Sequence, residues 1–230
     1  MSFQLQIEGG QAAWTVDAII VDLDGTMVDT LGDFTEALNR MLQDLQLPAV
    51  PAQAIEHMVG KGSEHLIRSV LGYVGVEDVA TRYDAAWERY QHHYLSINGQ
   101  YAQVYDGVLA GLQQLRSQGL RMACLTNKPL SFAQPLLQSK GLLGLFDQVF
   151  GGDSFAKKKP DPLPLLKTCE ALGTTPARTL MLGDSSNDAQ AARAAGCPVC
   201  LVTYGYNHGQ PILQANADGF IDSIAQLQRA

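Results

Sequence analysis

Basic residues are scarce in this chain. Its 230 residues hold 16 lysines and arginines against 23 aspartates and glutamates, for a net charge of −7, and the one basic run is Lys157-Lys158-Lys159. A surface of that sign repels a phosphate backbone, so nucleic acid is not expected as a partner. Cysteine is sparse as well. Cys124, Cys169, Cys197 and Cys200 fit a reduced, cytoplasmic setting better than a disulfide framework. Cys197-Pro-Val-Cys200 has C-x-x-C spacing, but no second Cys or His pair completes a zinc site. Cys197 also follows the end of a helix, not the helix N-terminus that would stabilise a thiolate, so buried inert thiols are expected. No apolar run reaches the roughly 20 residues of a membrane span. Met1 to Trp14 lack the basic-then-apolar order of a signal peptide, so neither membrane nor export is expected.

What remains is the composition of an ordinary globule, 46% hydrophobic and 17% charged. The length suffices for one large domain, or for a core with a smaller insertion. Residues 18–21 are an apolar run rich in Ile and Val, the pattern of a buried strand. Helical spacing follows over 30–47, 52–71 and 81–94, with no strand between Asp29 and Tyr105. From Gly107 the pattern alternates. Helices are expected at 108–118, 131–140, 162–172 and 187–195, and strands at 121–126, 148–150, 179–183, 198–202 and near 219–221, with a C-terminal helix closing the chain. Such alternation predicts an α/β fold, a parallel sheet with helices on both faces, interrupted after its first strand by an all-helical block. Nothing in the sequence assigns a role to residues 1–14.

Ligands of open α/β sheets bind beyond the carboxyl ends of the strands, and those positions carry the chemistry here. The first strand delivers Asp22 and Asp24; two apart on a strand, they should face one crevice. Two carboxylates about 4 Å apart repel by roughly 4 kcal/mol at a surface-like dielectric, so such a pair normally holds a cation or divides acid and nucleophile roles. The next core strand delivers Thr126, Asn127 and Lys128, the loop before residue 162 offers Lys159-Pro160, and the strand ending at Gly183 delivers Asp184 with Asp188 one helical turn on. Each group alone has a plain structural explanation: an Asx turn, a helix cap, a solvated basic run. Four at strand ends, in this order, do not.

These residues resemble the haloacid dehalogenase-like superfamily of phosphohydrolases. The signatures are Asp22-Leu23-Asp24-Gly25-Thr26, then Thr126-Asn127, Lys159-Pro160 and Gly183-Asp184-Ser185-Ser186-Asn187-Asp188. The likeness spans the chain from Val16 onward. It implies a Rossmann-like three-layer parallel-sheet core, residues 1–28 and 106–230, with an inserted all-helical cap, residues 29–105. Within the superfamily the chain is most similar to the phosphoglycolate phosphatases, on Val59-Gly60-Lys61-Gly62 with Leu66-Ile67-Arg68 and on Val202-Thr203-Tyr204-Gly205-Tyr206-Asn207.

The resemblance implies Mg²⁺-dependent hydrolysis of a small phosphorylated metabolite, 2-phosphoglycolate, to glycolate and phosphate. Asp22 would attack phosphorus to give an aspartyl-phosphate. Asp24 would protonate the leaving alkoxide and then deprotonate the attacking water. Lys159, the Thr126 hydroxyl and amides around Gly25, Thr26 and Asn127 would meet the phosphoryl charge. Asp22, the Asp24 carbonyl and Asp184 would hold the Mg²⁺ ion. Asp188 has three open roles: a metal-bound water, Lys159, or its own helix N-terminus. In the cap, Gly60 and Gly62 let the backbone and Lys61 approach a small anion, so Lys61 is a candidate for a substrate carboxylate, with His57, His65 and Arg68 nearby.

Other readings keep the same core. A broad-specificity, sugar-phosphate, pyrophosphate or nucleotide phosphatase would look similar. A sugar phosphomutase of this superfamily carries Val-Ile after the Asp-Gly and a hinge His, where this chain has Thr26-Met27 and Phe34. A non-catalytic regulator would not need Asp24, and a dehalogenase would need neither Asp24 nor Mg²⁺. Monomer and homodimer both stay open.

Overall fold

The computed structural model describes residues 3–8 and 13–229; the outermost parts of the expected core at residues 1, 2, 9–12 and 230 lie outside them. Strands β1 (Phe3–Ile7) and β2 (Ala13–Val16) pair antiparallel, and β3 (Ala18–Val21) follows, buried at every position. After the two-residue β4 (Val28–Asp29) come four helices, α1 (Leu31–Asp44), α2 (Ala52–Glu56), α3 (Ser63–Tyr73) and α4 (Val79–Ile97), and then β5 (Gln103–Val104). The remainder alternates through α5 (Val108–Ser117), β6 (Arg121–Leu125), α6 (Leu130–Ser139), β7 (Gln148–Phe150), α7 (Leu163–Ala171) and β8 (Thr179–Gly183). It closes with α8 (Ser186–Ala195), β9 (Val199–Val202), β10 (Gly219–Ile221) and β11 (Leu227–Arg229).

Six strands form one parallel sheet in the order β10-β9-β8-β3-β6-β7. Period-two alternation sorts its side chains: Ile19 and Val21 pack on one face with Leu180, Leu182 and Met122, and Ala18 and Ile20 on the other with Met181, Ala123 and Leu201. From β3 the chain runs outward through β6 and β7, then returns to β3's other side as β8. The carboxyl end of β3 is therefore the topological switch point, where the crevice of such a sheet opens. The fold is the expected α/β one. Helices α1–α4 bury a separate apolar cluster, built on Phe34, Leu38, Leu42, Ile67, Leu71, Tyr90 and Tyr94 and joined by Phe132 and Tyr206 from the sheet side.

Three expectations need correction. A strand does lie between Asp29 and Tyr105, because β5 pairs antiparallel with β4 through Val28–Val104 and Asp29–Gln103 and closes the neck of the helical block. The helix expected over 52–71 is two helices, broken where Gly60 and Gly62 take φ of +105° and +88°. Among the described residues the C-terminal helix is absent. Ile224 and Leu227 have helical spacing, but residues 224–226 make a single 3₁₀ turn, and β11 pairs with β1. An open strand edge captured a segment too short to hold a helix. The N-terminal residues thus form, with β11, a three-stranded antiparallel sheet that the sequence pattern does not announce. Among the described residues no helix is long and apolar enough to cross a membrane.

Candidate active site

At the switch point β3 ends and the Asp22 N–H continues its pairing by donating to Leu182 O of β8 at 2.9 Å. Leu23 turns into the core, fully buried, so Asp22 and Asp24 both face the crevice. Gly25 follows with φ +82°, and a Cβ there would lie 2.1 Å from Asp184 Oδ2. Only glycine fits so close to that acid. The turn consumes its own amides: Gly25 N–H donates to Val28 O and Thr26 N–H to Leu23 O. Thr26, fully buried, points its hydroxyl at Asp184 Oδ1 at 3.1 Å.

Asp184 also accepts the Tyr206 N–H on Oδ2 at 2.6 Å. Asp188, at the start of α8, accepts Lys159 Nζ on Oδ1 at 2.7 Å and the Ser185 hydroxyl on Oδ2 at 2.7 Å. Lys159 donates to Leu125 O at 2.9 Å and to Asp188, and its ammonium stands 2.9 Å from Asp22 Oδ1, an oxygen left without a hydrogen bond among the described residues. Carboxylate oxygens of Asp22, Asp184 and Asp188 lie within 4.8 Å of one another. Burial, with the charges of Asp188 and Asp24 adding and Lys159 opposing, pushes the Asp22 carboxyl up to about 7. Burial, then the charges of Asp188 and Asp22, raises Asp184 well above the carboxylate range. Burial disfavours the Lys159 ammonium, but Asp188 and Asp22 outweigh it and hold its pKa above the usual value.

Three buried acids around one lysine are short of positive charge. The donors on offer are hard oxygens, which suit a divalent cation of the Mg²⁺ class. Asp22, Asp184 and Asp188 are the acids close enough together to face such an ion, and Asp22 Oδ1 is the one of their oxygens buried without a hydrogen-bond partner among the described residues.

Asp24 belongs to a different circle. Its Oδ1 accepts the Thr30 hydroxyl at 2.9 Å and Lys128 Nζ at 2.7 Å. Lys128, with a side chain only 1% exposed, lies 4.2 Å from the Phe34 ring and 4.8 Å from the Tyr94 ring. Its own N–H donates to Thr126 Oγ1 at 3.2 Å. Asp22, Asp24, Thr126, Asn127 and Lys128 form the sheet side of a narrow pocket of about 20 Å³; Phe34, Val59, Gly60, Gly62, Ser63 and Leu66 form the helical side.

The two sides are clasped together at Gly60. Its carbonyl accepts Asn127 Nδ2 at 3.0 Å and Asn187 Nδ2 at 3.2 Å, while Asn127 Oδ1 also accepts the Lys159 N–H at 3.0 Å. Gly60 and Gly62 thus border the pocket as backbone. Lys61 between them is exposed and is not part of the lining. Arg68 is paired with Glu64 at 3.0 Å and stacked 4.0 Å over Tyr83. All four cysteines are buried and free, as expected.

Sequence spacing does not single out Thr30 or Tyr206. It does place Lys128 at a strand end, directly after Thr126-Asn127, but assigns it no role. Tyr206 had no signal beyond its motif. Its hydroxyl accepts the Thr30 and Leu31 N–H groups at 3.0 and 3.1 Å and donates to Asp29, tying the Asp184 loop to the neck of the helical block.

Comparison with known proteins agrees with this geometry. Residues 19–202 match the family of haloacid dehalogenase-like hydrolases. A phosphoglycolate phosphatase of Thiobacillus denitrificans is 42% identical, the match covering 92% of this chain and 93% of that protein. A plasmid-encoded phosphoglycolate phosphatase of Cupriavidus necator is 44% identical over 91% of this chain and 90% of its own. The crystal structure of a predicted phosphoglycolate phosphatase from Haemophilus somnus superposes with a TM-score of 0.86 at 32% identity, covering 91% of this chain and 95% of that one. The signatures at the strand ends, the sheet that carries them and these matches lead to one conclusion: the chain belongs to the haloacid dehalogenase-like hydrolase family.

Proposed function

We propose that this chain is a Mg²⁺-dependent phosphate monoester hydrolase that works through an aspartyl-phosphate and acts on 2-phosphoglycolate, giving glycolate and phosphate. The observation that carries the reading is the division of labour between two acids on one turn: Asp22 beside Lys159 in a buried acidic cluster, Asp24 beside Lys128 and Thr30 in the pocket. The names of relatives 37–44% identical over most of the chain support the substrate.

In this mechanism an Asp22 oxygen attacks phosphorus and the bond to the ester oxygen breaks. Asp24 gives its proton to the departing alkoxide, then takes one from the water that attacks the phosphoryl group. Phosphate leaves and Asp22 is regenerated. Lys159 and the Thr126 hydroxyl meet the phosphoryl oxygens, and Asn127 fixes Lys159 through its backbone. Asp22, Asp184 and the Asp24 carbonyl would hold Mg²⁺, which supplies the charge that balances the transferring phosphoryl group and the crowded carboxylates. Gly25 and Thr26 act on the acid: the first leaves room for Asp184 and the second bonds it. Asp188 holds Lys159 in place. Residues 29–105 serve as a cap whose closure over the core, residues 1–28 and 106–230, excludes bulk water. Four buried free thiols suit work in a reducing cytoplasm.

The test is phosphate release from 2-phosphoglycolate, sugar phosphates, nucleoside monophosphates and pyrophosphate, each with Mg²⁺ and with chelator. A Mg²⁺-dependent preference for 2-phosphoglycolate, abolished in Asp22→Asn, is expected. Turnover by Asp22→Asn near the parent rate would refute the nucleophile, and a flat substrate profile would refute the substrate.

A further inference from the structure

We propose that Lys128 is the residue that reads the substrate's carboxylate, and so sets specificity at the pocket described above. The inference rests on the phosphoglycolate reading and adds to it the group that selects the leaving half.

The two buried lysines of the site have different surroundings. Lys159 donates to Leu125 O and Asp188 and stands 2.9 Å from Asp22 Oδ1, so three oxygens surround its ammonium. Lys128 is equally buried, yet among the described residues its ammonium makes one hydrogen bond, to Asp24 Oδ1. An ammonium has three donors, and leaving two unmet in a dry site is costly. Two aromatic faces, Phe34 and Tyr94, flank it and attract the charge without satisfying an N–H. The Tyr94 hydroxyl is itself buried with no hydrogen-bond partner among the described residues. Two donors of Lys128 are therefore left without an acceptor among the described residues. An acceptor-only group would meet them, and a carboxylate is one.

Position agrees with charge. Asp24 Oδ1 is occupied by Thr30 and Lys128, which leaves Oδ2 to reach the ester oxygen that must be protonated. In 2-phosphoglycolate the carboxylate is attached to the very carbon that bears that oxygen. A cation on the other oxygen of the same acid therefore stands close to the part of the pocket that such a carboxylate would enter. Lys61, the other lysine close to this loop, is exposed and outside the lining, so its charge is screened by water.

The experiment uses the full chain with Mg²⁺ and two esters. They are 2-phosphoglycolate and 2-hydroxyethyl phosphate, the same linkage with hydroxymethyl in place of carboxylate. The parent should prefer the carboxylated ester. Lys128→Met, an uncharged side chain of similar length, should cut that preference by about 30-fold, mostly through KM. Lys128→Arg should keep a substantial part of it. Lys128→Gln, which retains a donor toward Asp24 but not the charge, repeats the test should the Met variant not fold by circular dichroism. Equal losses on both esters would overturn the proposal, because Lys128 would then act only by holding Asp24. A parent enzyme with no preference between the esters would instead overturn the phosphoglycolate reading, and the proposal with it.

Discussion

Asp22 should weaken the metal-free fold as pH rises, and Asp22→Asn should relieve it. The carboxyl has an ordinary value of 3.8 and is pushed to about 7 in the folded chain, chiefly by burial. Below 3.8 both folded and unfolded chains hold this proton, and the parent and variant should be matched. Between 3.8 and about 7 the unfolded chain releases the proton while the folded chain retains it, so stability falls as pH rises. Above that window the loss is complete. At about 1.4 kcal/mol per tenfold change in proton affinity, the full effect is at most about 4 kcal/mol. For a chain of this size that corresponds to roughly 8–16 °C in Tm. Asp184 is raised in the same direction, partly by the charge of Asp22, so Asp22→Asn also relaxes Asp184 and the two changes add with the same sign. The assay is calorimetry of both proteins in chelator from pH 4 to pH 8. The variant should gain on the parent steadily up to about pH 7. Adding Mg²⁺ at pH 7.5 should raise the parent's Tm more than the variant's, since the ion replaces the missing positive charge. A Tm difference that stays constant with pH would refute the reasoning, because Asp22 would then not be a carboxylate strained by its surroundings.

Three further outcomes are expected. Tyr206→Phe removes the acceptor of the buried Thr30 N–H and a donor to Asp29, while Leu31 N–H keeps Asp29 Oδ1 at 3.1 Å. It should destabilise by about 2–4 kcal/mol, and a Tm unchanged within error would show that the tie to the neck contributes nothing. Gly25→Ala places a methyl 2.1 Å from Asp184 Oδ2 at a φ of +82°. Weaker Mg²⁺ binding by at least tenfold is expected in isothermal titration, and parent-like affinity would mean that Asp184 is not a ligand. Lys61→Ala, on an exposed residue beside the pocket, should change kcat/KM for 2-phosphoglycolate less than threefold. A tenfold loss would move the carboxylate contact from Lys128 to Lys61.

Much of the core was legible because its signals are local. The apolar run ending in Asp22 and Asp24, the alternation from Gly107 onward and the acids after Gly183 each depend on neighbours a few residues away. Elements that depend on a distant partner were not legible. Strand β5 has two residues and exists through its pairing with Val28 and Asp29, and β11 exists because β1 offers an open edge. The helix over 52–71 misled because its apolar spacing continues across Gly60 and Gly62, where the backbone cannot.

The sequence by itself determined the parallel sheet, the strand ends and the acids and lysine carried there, since strand period and chain direction dictate which residues reach the rim. Only the tertiary structure decided how those charges are shared. Whether a lysine meets three acceptors or one, and whether Asp188 faces an ion or a lysine, depends on side chains brought together from across the chain. Lys128 and Asp24 are 104 residues apart in sequence and 2.7 Å apart in space. Burial then gives that contact its weight, because charge pairs matter most where water is excluded.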